Sequence, residues 1–301
     1  MFQKGIKFKK RAIKGVLMKI IDAHIHLSNI KSFHETAETI SFVDYSPSGI
    51  LKEFEEAGVV LGIGMGLTET DKMGFPDYET QTPMGLDLTA ELPPSIFTCV
   101  GINPYNLDEE ALIRLEKMLV HPKTVGIKIY LGYYPFYAYD PIYKPVYRLA
   151  AKYQLPVVFH TGDTYSERGY LKYSHPLTLD EVAVENRDVN FMMAHFGDPW
   201  TLTGAEIIYK NPNVFADLSG LIVGTKKDLE VKSEGRFLDH LRHALVFADS
   251  YDKLLFGTDW PLVPIAPYIE FIKNLIPEEY HNQVFYETAL KVFPRIRPFV
   301  K

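Results

Sequence analysis

The sequence predicts an α/β fold, a closed (β/α)8 barrel of the TIM type, on two observations. Short apolar stretches alternate with amphipathic stretches along the chain, which is typical of parallel strands covered by helices. Eight strand segments follow one another with no linker between them, and eight parallel strands close a barrel. We therefore expect one domain over residues 19–301.

The predicted strands are short runs rich in apolar residues, as suits strands that are buried on both faces. They span residues 20–27, 59–63, 95–101, 124–130, 155–160, 189–195, 213–218 and 253–257.

The predicted helices lie between these strands and after the last one. Gly58 ends the first of them, Asp140 and Pro141 begin another, and apolar residues at helical spacing follow Asp108. The helices span residues 49–57, 86–92, 108–119, 139–153, 178–185, 201–210, 237–248, 266–275 and 280–292.

Composition narrows the function classes. The chain has 301 residues and a formal net charge of −6, so it carries no basic field for a nucleic-acid partner. A small-molecule substrate fits this charge better than a nucleic acid does. The composition is compatible with a homo-oligomer as well as with a monomer. The one cysteine, Cys99, excludes an intramolecular disulfide and a metal site built on cysteine pairs, so a reducing cytoplasm is expected.

Residues 1–18 form a basic extension with no apolar stretch long enough for a signal peptide or a membrane span. We expect a mobile tail, or an artefact of start-codon choice, that takes no part in chemistry.

The strongest functional signal is the run IIDAHIHL at residues 20–27. Side chains alternate along a strand, so His24 and His26 point the same way and two imidazoles can bind one metal ion. By itself this pair is equally compatible with two partly buried structural histidines.

Four other strands also end in an ionisable residue: Lys128, His160, His195 and Asp259. Their spacing matches whole βα units of roughly 32 to 35 residues in a barrel of ~250 residues. Active sites of such barrels lie at the carboxyl ends of the strands, so these side chains should meet at one mouth. The convergence favours a divalent metal site. Imidazole and carboxylate ligands favour Zn²⁺, although manganese, iron or nickel suit the same set.

The segments DAHIHL, GIKIY, VVFHTGD, MMAHFGDP and LLFGTDWPL, in this order, resemble the amidohydrolase superfamily of metal-dependent hydrolases. The resemblance is to the branch that also contains enzymes like aminocarboxymuconate-semialdehyde decarboxylase, and it runs from residue 19 to the end of the chain. It implies that His24, His26, His160 and Asp259 are metal ligands, and it matches His195 to the histidine of strand six.

The state of Lys128 determines whether the site holds one metal ion or two, and the sequence is compatible with both. In binuclear relatives a lysine on strand four is carboxylated and bridges two metals, and GIKIY resembles that context. Lys128 and His195 would then hold a second ion. In a site with one metal, Lys128 would have a structural or substrate-binding role, and His195 would polarise a carbonyl or stabilise an oxyanion.

Substrate contacts are expected from the loops after the strands. Tyr130 and Tyr134 belong to an aromatic loop that can stack on a flat substrate, although a packed lid explains the same pattern. Arg168 can hold a carboxylate unless it is simply solvated, and Trp260 can form a pocket wall unless it is core.

The predicted function is metal-dependent hydrolysis of an amide, lactone or ester bond in a small, cyclic or carboxylated metabolite. The metal lowers the pKa of bound water to about 7, and Asp259 carries the proton. The alternative is a metal-dependent non-oxidative decarboxylase. A binding barrel without catalysis is disfavoured, because a complete ligand set is costly to keep buried without use.

Overall fold

The computed structural model describes residues 18–28, 30–66 and 92–300. Eight parallel strands pair with their neighbours in chain order, which confirms the predicted (β/α)8 barrel. The strands are β1 Ile20–Ile25, β2 Val59–Met65, β3 Ile96–Ile102, β4 Thr124–Ile129, β5 Val157–Phe159, β6 Phe191–Met193, β7 Val214–Asp217 and β8 Leu254–Leu255.

The last strand returns to the first and closes the barrel. Ala23 N donates to Phe256 O at 2.9 Å, while Asp259 N donates to His24 O and His26 N donates to Trp260 O, both at 2.8 Å. We call this contact between β1 and the end of the last strand the seam of the barrel. It extends beyond β8 into the segment that carries Asp259.

Helices surround the barrel and cover the outer face of the strands. They are α1 Lys31–Thr36, α2 Pro47–Ala57, α3 Glu109–Leu119, α4 Lys144–Tyr153, α5 Leu171–Ser174, α6 Thr178–Glu185, α7 Thr201–Lys210, α8 Lys226–Glu234, α9 Asp239–Ala248, α10 Ile265–Leu275 and α11 Thr288–Val292. Within the described ranges, no helix has both the length and the apolarity to cross a bilayer.

Several element boundaries differ from those predicted. The strand predicted at 253–257 pairs only over Leu254–Leu255, and the helix predicted at 280–292 is split into a π-helical turn, Gln283–Glu287, and α11. Helix α8 was not predicted, because Leu229 is its one buried residue and its apolar periodicity is weak. The predicted extension up to residue 17, and the helix predicted at 86–92 apart from Leu92, lie outside the described residues.

The C-terminal segment packs against the end of the barrel where the strands begin. Arg295 donates to the carbonyl oxygens of Leu119 and Thr124, the latter being the first residue of β4, at 2.6 and 3.0 Å. Val292 and Phe293 join the same buried cluster as Phe97. The opposite end, where the strands finish, is thereby left for the site.

Candidate metal centre

His24, His26 and Asp259 are brought together by the seam that closes the barrel. His24 lies in β1, His26 follows it, and the backbone of Asp259 is hydrogen-bonded to that of His24. Asp259 has a φ of 63°, in the left-handed region that side chains other than glycine rarely adopt. The structure therefore holds this carboxylate in a backbone conformation that must be imposed by its surroundings.

The side chains of these three residues form one compact group of potential ligands. Asp259 Oδ1 lies 2.9 Å from His26 Nε2 and 3.3 Å from His24 Nε2, and all three residues are buried. Among the described atoms, no hydrogen bond reaches Asp259 Oδ1. A buried carboxylate oxygen in this state is costly unless it binds a cation. The group therefore fits a divalent metal ion.

Asp217, at the end of β7, orients His24 from behind. The Nδ1–H group of His24 donates to Asp217 Oδ2 at 2.8 Å, which leaves Nε2 to face the group. Asp217 Oδ1 accepts hydrogen bonds from His195 N, Ser219 N and Ser219 Oγ, at 2.9, 3.1 and 2.6 Å. Although burial alone would raise it, these contacts and His24 hold the pKa of Asp217 below its usual range.

His160 and His195 form an adjoining pair. His195 Nε2 lies 3.3 Å from His160 Nδ1, and His195 Nδ1 lies 4.0 Å from Asp259 Oδ2. His160 Nε2 is 2.9 Å from the carbonyl oxygen of Asp163. His160 is thus connected to the compact group through His195 rather than being part of it. Like Asp259, His195 has a left-handed backbone, with a φ of 60°.

Lys128 is fully buried beside His24. Its Nζ lies 3.5 Å from His24 Nε2 and 5.1 Å from the centre of the Tyr130 ring. Burial lowers the pKa of Lys128 to about 8, partly offset by the charges of Asp217 and Asp259. The amine therefore loses its proton more readily than an exposed lysine, and this position suits both a carboxylated and an unmodified side chain.

The ionisation states also suit metal binding. Burial, reinforced by Lys128, lowers the pKa of His24 to about 4, and burial lowers the pKa of His26 and of His160 as well. The imidazoles around Asp259 hold its pKa well below the usual range despite burial. At neutral pH, His24, His26 and His160 are therefore neutral and Asp259 is charged, which are the forms that bind a metal.

A cavity of about 290 Å³ opens above these residues. His26, His160, His195 and Asp259 line its floor. Its walls are largely aromatic and aliphatic, from residues Ile30, Phe33, Tyr130, Tyr133, Tyr165, Leu221, Ile222, Val223, Phe237 and Leu262. Its size and its apolar walls around a polar floor are typical of a site for a small molecule.

The amidohydrolase family model matches residues 21–295 of the sequence. The chain belongs to the amidohydrolase family. Members of this family are metal-dependent enzymes that act on small molecules. The predicted resemblance is therefore confirmed at the level of the family.

Solved structures share the fold of this amidohydrolase at low sequence identity. An uncharacterised TIM-barrel protein from Bordetella bronchiseptica aligns with a TM-score of 0.71 and 18% identity over 92% of this chain and 99% of its own. Dihydroxybenzoic acid decarboxylase from a Polaromonas species was solved with bound manganese and the inhibitor 2-nitroresorcinol. It aligns with a TM-score of 0.62 and 14% identity over 92% of this chain and 96% of its own. A probable 2-pyrone-4,6-dicarboxylic acid hydrolase from Acinetobacter baumannii, with citric acid bound, aligns with a TM-score of 0.57 and 14% identity over 92% of this chain and 99% of its own. No curated protein matches the sequence.

Of the four residues predicted to contact the substrate of this amidohydrolase, one lines the cavity and three do not. Tyr130 lines the cavity, whereas Tyr134 is buried outside its wall and Arg168 is exposed outside it. Trp260 is fully buried away from the cavity and donates from Nε1 to Glu53 Oε1 at 3.0 Å. The side chain of Trp260 therefore packs in the core behind the site instead of forming a pocket wall.

Asp217 and Lys232 are two residues of the site that the sequence interpretation missed. Asp217 is the last residue of β7 and lies one residue before the end of the predicted strand, so the rule that selected His160 and His195 could have found it. Lys232 lines the cavity from α8, a helix that was not predicted because its sequence is largely polar. Nothing in the local pattern around Lys232 distinguishes it from a solvated lysine.

Proposed function

We propose that this amidohydrolase uses one divalent metal to hydrolyse an amide, lactone or ester bond of a small, cyclic or carboxylated metabolite. The observation that carries the proposal is the placement of Asp259, whose Oδ1 faces two imidazoles while its Oδ2 faces His195 at the floor of the cavity. This carboxylate can serve as a ligand and as a proton carrier.

The ion would be held by His24, His26 and Asp259, with His160 as the proposed further ligand. We propose Zn²⁺ because open sites of imidazole and carboxylate ligands favour it. Manganese is the main alternative, because one similar structure contains it. When bound, the metal supplies a Lewis acid and water that is activated near neutral pH. A second ion requires carboxylation of Lys128, with His195 as its other ligand.

The chain's own residues then move the proton and stabilise charge. Asp259 accepts the proton of the attacking water and delivers it to the leaving group. His195 is held at Nδ1 by the carbonyl and the hydroxyl of Ser219, at 3.0 and 2.9 Å, which fixes the ring and leaves Nε2 on the side of His160, at 3.3 Å from its Nδ1. With a hydrogen on Nε2, His195 can donate to the oxygen of the substrate carbonyl. Asp259 therefore moves the proton, and His195 stabilises the negative charge that develops on the substrate oxygen.

A metal-dependent non-oxidative decarboxylase is the second candidate. The aromatic wall formed by Phe33, Tyr130, Tyr133 and Phe237 suits a flat ring, and one similar structure is named as a decarboxylase of dihydroxybenzoic acid. The similarity to a probable hydrolase of a pyrone dicarboxylic acid suits the leading candidate equally. Both reactions need the same floor of histidines and aspartate. A cytoplasmic location and a homo-oligomer stay predictions.

Elemental analysis, isotope labelling and one variant test the proposal. Elemental analysis of protein purified without added metal should find about one divalent ion per chain, and a count near two would support a carboxylated Lys128. The metal-loaded enzyme is then screened on lactones, cyclic amides and hydroxylated aromatic acids. For any substrate found, reaction in ¹⁸O-labelled water should place label in the product, and His195→Ala should impair turnover. Carbon dioxide release without label would favour the decarboxylase, and a chain that never retains metal would contradict both.

A further inference from the structure

One positively charged side chain stands in the cavity wall apart from the histidines. Among the described residues that line the cavity, Lys232 is the sole lysine or arginine, and the carboxylates are Asp163, Asp198 and Asp259. Arg168, the predicted carboxylate contact, lies outside that lining. Apart from the histidines and the proposed metal at the floor, Lys232 is therefore the described lining residue whose charge can attract an anion.

Lys232 is presented by a helix with a well-fixed start. Thr225 and Asp228 form a capping box at the beginning of α8, and the buried Leu229 attaches the helix to the core. Just before α8, Gly224 N donates to Leu262 O at 3.0 Å, which ties the helix to the loop after β8. The backbone that carries Lys232 is thus anchored to the segment that follows the metal ligand Asp259.

Phe237 fixes the surroundings of the ammonium group. Lys232 Nζ lies 5.0 Å from the centre of the Phe237 ring, within the range of a cation–π contact, and both side chains line the cavity. The aromatic face and the positive charge are therefore adjacent on one wall, as the recognition of a ring bearing an anionic group requires.

Lys232 makes no close salt bridge with a carboxylate in the described part of the chain, although its charge helps to lower the pKa of Asp228, after the hydrogen bonds from Thr225. Asp228, one turn earlier, accepts hydrogen bonds from Thr225. At the cavity, Asp198 Oδ1 lies 2.6 Å from His240 Nε2, so this carboxylate has its own partner. Lys232 can therefore reach a molecule that occupies the cavity without first breaking a close salt bridge.

We propose that Lys232 binds a second carboxylate of the substrate, one that is remote from the reacting bond, while Phe237 packs against the ring. The inference rests on the proposed function in placing substrate in this cavity, and it assigns the substrate to the ring-containing dicarboxylates. Lys232 is a specificity residue: it selects the substrate through binding and takes no part in the chemical step.

Equilibrium binding of unreactive probes to the zinc-loaded full chain tests the assignment without requiring turnover. The probes are isophthalate and terephthalate, which place a second carboxylate at two distances from the first, and benzoate, which has one. The wild-type chain should bind at least one of the dicarboxylates about tenfold more tightly than benzoate. Lys232→Met should remove that advantage and leave benzoate binding unchanged, whereas Lys232→Arg should retain most of it.

Lys226→Met is the matched control, because Lys226 lies on the same helix, pairs with Glu230 and does not line the cavity. It should bind every probe as the wild-type chain does. Equal binding of all three probes by the wild-type chain, or an undiminished dicarboxylate advantage in Lys232→Met, would overturn the assignment. Failure to find a hydrolytic product would contradict the proposed function but would leave this binding result intact. With a substrate in hand, Lys232→Met should raise KM more than it lowers kcat.

Discussion

Asp217 Oδ2 accepts a hydrogen bond from His24 Nδ1 at 2.8 Å, although 193 positions separate the two residues in the sequence. Both residues are completely buried, and Asp217 also holds the backbone of His195. One carboxylate behind the site therefore sets the ring orientation of a proposed ligand and the position of a proposed catalytic histidine.

Asp217→Asn should weaken metal binding about 10- to 100-fold, because the neutral amide is a poorer acceptor for His24 and no longer increases its basicity. Competition with a chromogenic chelator measures the change. Asp252→Asn is the control, since Asp252 is exposed and its 3.5 Å pair with Lys291 lies on the surface. Equal affinities of Asp217→Asn and the wild-type chain would show that His24 is positioned by other contacts.

Asp259→Asn should lower turnover by a factor on the order of 10² or more, because the amide keeps the size and one oxygen but cannot carry a proton. Some metal should remain, since His24 and His26 are unchanged. Steady-state kinetics together with elemental analysis of the same sample separates loss of chemistry from loss of metal. Full activity in a metal-loaded sample would remove Asp259 from the mechanism.

Gly220→Ala should impair both activity and stability. Gly220 has a φ of 64°, and a Cβ atom there would lie 2.7 Å from His195 Nδ1 and 2.8 Å from Asp259 Oδ2. We expect the melting temperature to fall, with a cost of about 1–2 kcal/mol from the left-handed backbone alone. Gly235→Ala is the control, because the nearest atom to its added Cβ would be 3.9 Å away. Similar behaviour of the two variants would contradict the close approach at Gly220.

In the metal-free protein, the ring of His24 should titrate near pH 4 instead of near 6.5, because burial and the neighbouring Lys128 disfavour its charged form. The unfolded chain takes up a proton at this position near pH 6.5, so the unfolded state binds more protons between about pH 6.5 and 4. His24 should therefore lower the free energy of unfolding as pH falls through that window. Histidine-selective NMR measures the titration, and His24→Gln assigns the signal. A midpoint near pH 6.5 would contradict the prediction.

The barrel and the convergence of its strand-end residues could be anticipated because both follow from periodicity. Apolar runs at regular spacing specify the strands, and parallel strands finish on the same side, so His24 and Asp259 had to approach one another. No knowledge of side-chain packing is needed for that step.

The cavity wall could not be anticipated because it depends on which way loop side chains turn. Trp260 follows the proposed ligand directly, yet its ring turns into the core toward Glu53, while the backbone of Asp259 bends through a left-handed conformation. Lys232 reaches the cavity from a helix that the sequence pattern did not reveal. Such directions are set by tertiary contacts that no local pattern encodes.

The seam between the first and last strands has a consequence for synthesis of the chain. The backbone hydrogen bond from Asp259 to His24 joins a residue near the start of the protein to one near its end. If Asp259 is a metal ligand as proposed, a nascent chain lacks the complete ligand set until Asp259 has left the ribosome. An ion bound by His24, His26 and Asp259 would link the two ends of the sheet and would stabilise the pairing that closes the barrel.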